Sequence, residues 1–282
     1  MKRVLITGSS GVIGSALCGK LAESGIEAVP FDIRQGLDIR DKGHLLAAMD
    51  GIDGVIHCAA VARVCDCEKD IGLCRETNVA GTKNIVECLN ARANRPWLLF
   101  ISSREVYGQA HEFPVTESTP CNPINEYARS KVEGERIVRE YPNSGIIRLA
   151  NVYGSVNDYD SRVIIAFTRA ALSSKPLILN GAGNVLDFIH ISDAVNGIYV
   201  YCRMKRTETI HLTSGTPVTL GELAEKIIHL VDSKSHIIVN PPNRHEVSRF
   251  CGNPRMARTI LGWRTEVSLE RGIKKLINEE QK

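Results

Sequence analysis

Aromatic residues are scarce in this chain, 5% of 282, and neither charge prevails, the formal balance being +3. There is no basic run and no interleaving of basic with aromatic residues, so nothing points to nucleic acid as a partner. No apolar stretch approaches the ~20 residues that span a bilayer, so no membrane partner is expected. The N-terminus has no apolar segment followed by a cleavage site; Lys2 to Gly8 runs straight from a strand into a turn. Internal repeats, low-complexity segments and long linkers are also missing. Cysteine is not scarce. Nine of them, an odd count, lie among apolar positions such as Cys18, Cys58 and Cys202, the usage of free thiols in a reducing compartment. A cytoplasmic location is therefore expected. Cys65-Asp66-Cys67 with Cys74 lacks both the C-x₂₋₄-C spacing and the second ligand pair of a structural zinc site. These thiols are expected in a loop, and no metal is expected.

What is present is alternation. Lys2 to Thr7 is a short apolar run with β-branched residues, and Gly8-Ser9-Ser10-Gly11-Val12-Ile13-Gly14 opens a segment with apolar residues at helical spacing. A strand, a glycine turn and a helix N-terminus form a cradle for a pyrophosphate: glycines admit close backbone approach, and the first-turn amides favour negative charge. The spacing is G-x-x-G-x-x-G. Glu27 to Phe31 reads as a second strand ending at Asp32, whose carboxylate can accept from the ribose hydroxyls of an adenosine and would repel a 2′-phosphate. That favours NAD, while Arg34 leaves NADP open. After a short helix, Lys42 to Met49, a third strand from Gly54 runs into the small residues Ala59 and Ala60, which let a flat cofactor lie against a sheet. His57 on this strand reads as a packed core histidine. Asn78 begins or lies within a helix ending near Arg92. Trp97 to Ser102 is the fourth strand, delivering Ser103 to its carboxyl end, and Gly145 to Ala150 the fifth. Strands alternating with helices mean a parallel sheet covered on both faces.

The second half changes rhythm. A helix is expected over Ser161 to Ser174, a strand at Pro176 to Leu179, a turn at Gly181 to Gly183 and a strand at Asp187 to Ile191. Ser192 is expected to cap the next helix. Thr219 and Glu222 form a capping box that opens a helix to Val231, and Ser268 caps the last one. The fold class is thus α/β: a doubly wound parallel sheet with a smaller C-terminal α/β lobe interleaved with it.

Tyr127 and Lys131 carry the chemistry. Four residues apart in a helix expected over Asn125 to Tyr141, they share a face. A free phenol titrates near pH ~10; a neighbouring ammonium favours the phenolate. Bringing it to neutrality needs roughly 3 units, about 4 kcal/mol. Lysine alone would be stretched to supply that, and the positive charge of an oxidised nicotinamide is a natural helper. Ser103 can hold the same substrate hydroxyl.

These pieces, in their order, resemble the extended short-chain dehydrogenases that act on nucleotide sugars, the NAD-dependent epimerase/dehydratase family. The resemblance runs through the glycine turn, Asp32, Leu37 to Asp41, His57 to Ala60, Asn78-Val-x-Gly-Thr82, Ser102-Ser103-x-x-Val-Tyr-Gly108 and Tyr127-x-x-x-Lys131. It continues through Arg148-x-x-Asn151-Val-Tyr-Gly154, Asp187-Phe-Ile-His, Arg244-His-Glu246-Val and Leu261-Gly-Trp263. It implies a Rossmann-like domain over 1–153, completed by part of 186–213, and a substrate-binding lobe over 154–282. It implies NAD held by Gly8, Gly11, Val12, Ile13, Gly14, Asp32, Asp38, Ile39, Ala59, Ala60, Asn78 and Ser102, with Asp38 and Ile39 flanking the adenine. Ser103, Tyr127 and Lys131 would be catalytic, Tyr127 and Lys131 also meeting the cofactor. Ser103, Asn151 and Arg244 would bind a nucleotide-sugar substrate, and the helices around 78–92 and 127–141 would pair two copies into a homodimer.

Two departures stand out. Many members carry an arginine where this chain has Leu186, and Arg162, Arg169 or Arg249 are the nearby candidates to replace it. Family 4,6-dehydratases resemble Thr-Asp-Glu where this chain has Ser103-Arg104-Glu105. Arg104 cannot protonate a leaving hydroxyl, since its guanidinium stays charged. Epimerisation through a C4 keto-sugar is therefore the expected activity. Glu105, as a base at C5, keeps dehydration or decarboxylation as the alternative. An NADPH-dependent ketoreductase and a non-catalytic dinucleotide-binding protein are further alternatives.

Overall fold

The computed structural model describes residues 1–282. β1 (Arg3–Thr7) is buried from Val4 onward, and Gly8 ends it with φ of +72°. α1 (Val12–Glu23), β2 (Glu27–Phe31), α2 (Lys42–Ala48) and β3 (Gly54–His57) follow. The stretch expected as a loop around Cys65 is instead two short helices, α3 (Val64–Lys69) and α4 (Ile71–Arg75). The Asp70 carboxylate accepts from Leu73 N and caps α4. These helices are too short to display an apolar period, so pattern alone passes over them. A π-helical turn, Glu76–Ala80, leads into α5 (Gly81–Asn90).

β4 (Trp97–Ser103), α6 (Glu126–Arg139) and β5 (Ser144–Leu149) lie within two residues of expectation. The second half contributes β6 (Asn151–Tyr153), α7 (Val163–Leu172), β7 (Leu177–Asn180) and β8 (Val185–His190). Next come α8 (Ile191–Met204), β9 (Thr209–Leu212), β10 (Pro217–Thr219) and α9 (Leu220–Val231). β11 (Ile237–Asn240), α10 (Arg255–Leu261) and α11 (Leu269–Glu280) complete the chain. The Thr219 capping box is present in full and Ser268 caps α11. Ser192 does not cap α8. The imidazole of His190 accepts from Ser192 N and takes that role two residues earlier, since a strand-end histidine can offer its ring nitrogen as readily as a serine its hydroxyl.

Six strands form one sheet in the order β2-β1-β3-β4-β5-β9, each neighbouring pair parallel. The chain moves outward from β1 to β2 and then crosses back to β3, so the crevice for a ligand opens at the carboxyl ends of β1 and β3. β3 and β4 are buried almost throughout, as strands covered on both faces must be. One core layer packs Leu17, Leu21 and Ile198 of α1 and α8 against the sheet; the other packs Ile85, Leu89 and Val138 of α5 and α6. A third core unites α7, α9 and α11 with β7 and β8. β9 enters the large sheet although it follows β6 and β8 of a separate three-stranded sheet. The chain therefore leaves the large sheet for the three-stranded one and returns to it at β9.

Candidate active site

The glycine turn is closely packed. A Cβ on Gly14 would lie 2.1 Å from Gly8 O, and one on Gly8 would lie 2.7 Å from Ala59 N besides requiring a left-handed backbone. Only glycine allows β1, the turn and α1 to approach in this way. No side chain caps α1 at Gly11, so the first-turn amides around Val12 and Ile13 are open to an anion, with the helix dipole behind them. At the end of β2 the Asp32 carboxylate accepts from Ser10 N and from Arg34 N, each at 2.9 Å, and so rests beside the turn. Asp38 pairs with Arg40 at 2.7 Å, which holds its carboxyl below the ordinary range.

Other expected cofactor residues act from behind. The side chain of Ile39 is buried against Gly81, leaving its backbone as the part that can face an adenine. Ala59 donates its N–H to the Thr7 hydroxyl at 3.3 Å, fixing the small-residue turn that continues through Ala60. The Asn78 amide accepts from Val61 N at 2.8 Å and donates to Val61 O at 3.1 Å and Ser130 Oγ at 2.9 Å. It thereby ties that turn to α6. The Ser102 hydroxyl donates to Glu135 Oε1 at 2.6 Å inside the core. It is not brought beside Tyr127, because successive residues of a strand face opposite ways. His57 is a core residue, bonded to the hydroxyls of Thr7 at 2.7 Å and Thr82 at 3.0 Å; burial lowers its imidazole to about 3.

Ser103, Tyr127 and Lys131 come together. The Asn125 side chain accepts from Ala128 N at 2.8 Å and starts α6, placing Tyr127 in the first turn and Lys131 one turn further. The Ser103 hydroxyl accepts from Glu105 N at 3.2 Å and lies near enough to the phenol to favour its charged form. Lys131 is 3% exposed; its ammonium donates to Ile101 O at 2.8 Å and stands 5.9 Å from the centre of the Tyr127 ring. Burial raises the phenol to about 12 against the pull of Arg162 and Ser103, and burial lowers Lys131 to about 8. The expected lowering of the phenol is therefore not present in the protein alone. Lysine is the member that titrates nearer neutrality, because desolvation acts on both groups and disfavours each charged form.

Behind this set lies a buried network not expected from the sequence. Arg104 forms an ion pair with Glu105 Oε1 at 2.8 Å and donates to Asn151 Oδ1 at 3.1 Å and Val247 O at 3.4 Å. Glu105 Oε2 accepts from Asn125 Nδ2 at 3.0 Å, and Asn125 also donates to His245 O at 2.9 Å. Both carboxylate oxygens of Glu105 are thus engaged. Asn125, in the helix-capping position two residues before Tyr127, could have been picked out from its type and place alone.

Asn151, expected to bind substrate, lines a small cavity with Tyr153, Gly154, Asp158, Arg162 and Phe188. The Asn151 amide donates to Asp187 O at 2.9 Å. Of the three candidate arginines, Arg169 is committed to Glu280 at 2.7 Å and Arg249 stacks over Phe113 at 5.0 Å. Arg162 approaches only Asp158, at 3.8 Å, and its charge acts on Tyr127. Leu186 is 9% exposed, in the core of the smaller lobe. The Asp187 carboxylate accepts from Ser214 N at 2.9 Å and Gly215 N at 3.0 Å, so this motif residue fastens β8 to the following loop. Arg244 is exposed, next to the His245 carbonyl that rests on Asn125.

The NAD dependent epimerase/dehydratase family model matches residues 4–212. UDP-glucose 4-epimerase of Mycolicibacterium smegmatis is 27% identical, over 98% of this chain and 97% of its own length. UDP-glucuronic acid decarboxylase 1 of Danio rerio is 28% identical, over 98% of this chain and 72% of its own. The solved UDP-glucose 4-epimerase of Thermus thermophilus, in complex with NAD, is similar at TM-score 0.90 and 25% identity, with 99% of each chain covered.

Proposed function

Because the chain belongs to the NAD-dependent epimerase/dehydratase family, we propose that it inverts C4 of a nucleotide sugar through a transient keto-sugar, with a UDP-hexose as the first substrate to test. The cofactor is NAD, whose pyrophosphate the glycine turn and the α1 amides would hold, with Asp32 on the ribose. When bound, it supplies an acceptor that takes hydride from C4 and returns it to the opposite face. Tyr127 as phenolate removes the C4 hydroxyl proton, Ser103 orients that hydroxyl, and the Lys131 ammonium favours the phenolate. The proton goes back to the C4 oxygen from Tyr127 when the ketone is reduced, so the residues end as they began.

The observation that supports epimerisation over loss of water is the pairing of Glu105. Its carboxylate is held by Arg104 at 2.8 Å and Asn125 at 3.0 Å, which leaves no free base for C5. Arg162, whose one partner is Asp158 at 3.8 Å and whose charge reaches Tyr127, would take the anchoring role that the position of Leu186 cannot fill. In the same reading the protein acts in the cytoplasm and two copies pair through the helices around 78–92 and 127–141; a monomer mass by light scattering would refute the pairing.

The test is mass spectrometry of products after incubation with NAD⁺ and UDP-, dTDP-, GDP- and CDP-sugars. An isomer of unchanged mass is expected. Loss of water or carbon dioxide would overturn epimerisation, and loss of water would return Glu105 to the role of base. Tyr127→Phe should lower turnover by at least ~10²-fold; near wild-type turnover would refute the mechanism.

A further inference from the structure

We propose that Cys67 and Cys74 form a reversible oxidation site, a dithiol that hydrogen peroxide converts to an intramolecular disulfide across the junction of α3 and α4. The two Sγ atoms are 2.6 Å apart, well inside the separation of unbonded sulfurs in mere contact. Both side chains are fully buried. The pair is enclosed by one hydrogen-bonded chain: Cys67 Sγ donates to Val61 O at 3.4 Å, and Asn78 Nδ2 donates to Cys74 Sγ at 3.5 Å. None of the other seven thiols hydrogen-bonds another sulfur, and no third metal-binding side chain joins these two. Two buried sulfurs with no ligand to share can still share a bond with each other.

The electron count is simple. Cys74 is the more acidic partner, since the contact with Cys67 and the nearby Ser130 hold its thiol below the ordinary range, whereas Cys67 is raised. Its thiolate attacks one peroxide oxygen, breaking the O–O bond; with a proton taken up, sulfenic acid and one water result. The Cys67 sulfur then attacks the sulfenic sulfur, its proton leaving with the hydroxyl as a second water. Two thiols lose two electrons and two protons, and one peroxide becomes two waters. Access comes from the helices themselves. α3 has six residues and α4 five, lengths at which helices depend on packing and open locally before the core does. A second thiol-rich feature of the sequence, exposed Cys65 on α3, is excluded from the pair because residues i and i+2 of a helix do not share a face.

The cleavage sites for trypsin at Arg63, Lys69 and Arg75 make the site directly readable. The full-length protein is treated with hydrogen peroxide, unfolded in N-ethylmaleimide and digested without reduction. The expected product joins peptides 64–69 and 70–75, with Cys65 alkylated and Cys67 bonded to Cys74 in fragment spectra; dithiothreitol separates them. Cys65→Ser should leave the link intact. Oxidation should also raise the unfolding midpoint by roughly 4 °C, a shift lost on reduction. Separate peptides with both Cys67 and Cys74 alkylated, or a link through Cys65, would overturn the proposal. None of these readouts depends on turnover, so failure of the epimerase reading leaves them unaffected.

Discussion

Replacing Lys131 by methionine keeps the length of the side chain and its packing over Phe100 while deleting the ammonium. That charge stands 5.9 Å from the centre of the Tyr127 ring. At an effective dielectric constant near 20 it favours the phenolate by roughly 3 kcal/mol, or about 2 pKa units. In the unaltered protein Lys131 titrates at about 8 and Tyr127 at about 12. The pair therefore loses its first proton near 8, and the reactive form, phenolate beside ammonium, carries the same net charge as neutral lysine beside phenol. kcat/KM of the free enzyme should rise with pH through about 8 and level off above it. In Lys131→Met that step disappears and the rising limb moves toward the value of the isolated phenol. With about 2 units of stabilisation lost, kcat/KM near neutrality should fall roughly a hundredfold. The assay is the pH profile of kcat/KM between pH ~6 and ~10, paired with the ultraviolet titration of tyrosinate. Thermal unfolding checks that loss of the bond to Ile101 O has not unfolded α6. A variant whose rising limb stays near 8 would refute the coupling.

Arg104→Ala should destabilise the protein by about 3–5 kcal/mol in denaturant unfolding, because it strands the buried Glu105 carboxylate. Adding Glu105→Gln should recover part of that loss; strictly additive effects would mean that the two side chains do not interact. Arg162→Ala should raise KM for the accepted nucleotide sugar by roughly 10- to 100-fold, as expected for one lost charged hydrogen bond, while Arg169→Ala, at the Glu280 bridge, should leave KM unchanged. Equal KM values for Arg162→Ala and the parent would refute the anchoring role proposed for Arg162.

Much of the architecture can be read from the chain because its signals are local. Apolar runs ending in glycine, serine or alanine mark β1, β3 and β4, and the capping box at Thr219 and the hydroxyl of Ser268 mark helix starts within one turn. The spacing of Gly8, Gly11 and Gly14, and of Tyr127 and Lys131, is likewise a property of a few neighbouring residues. What the spacing cannot convey is which of two adjacent side chains faces the cleft and what each is worth once water is removed. Ser102 reads as a cofactor contact beside catalytic Ser103, yet the strand turns Ser102 into the core and Ser103 toward Tyr127. Glu105 reads as a free base until Arg104 is seen to meet both it and Asn151, a partner 47 residues away. Lys131 reads as the group that acidifies a phenol, but burial of both shifts the lysine instead. Cys67 and Cys74 read as unrelated thiols until two short helices turn them together. Desolvation and long-range pairing depend on what packs around a group, and packing exists only after the chain has closed on itself.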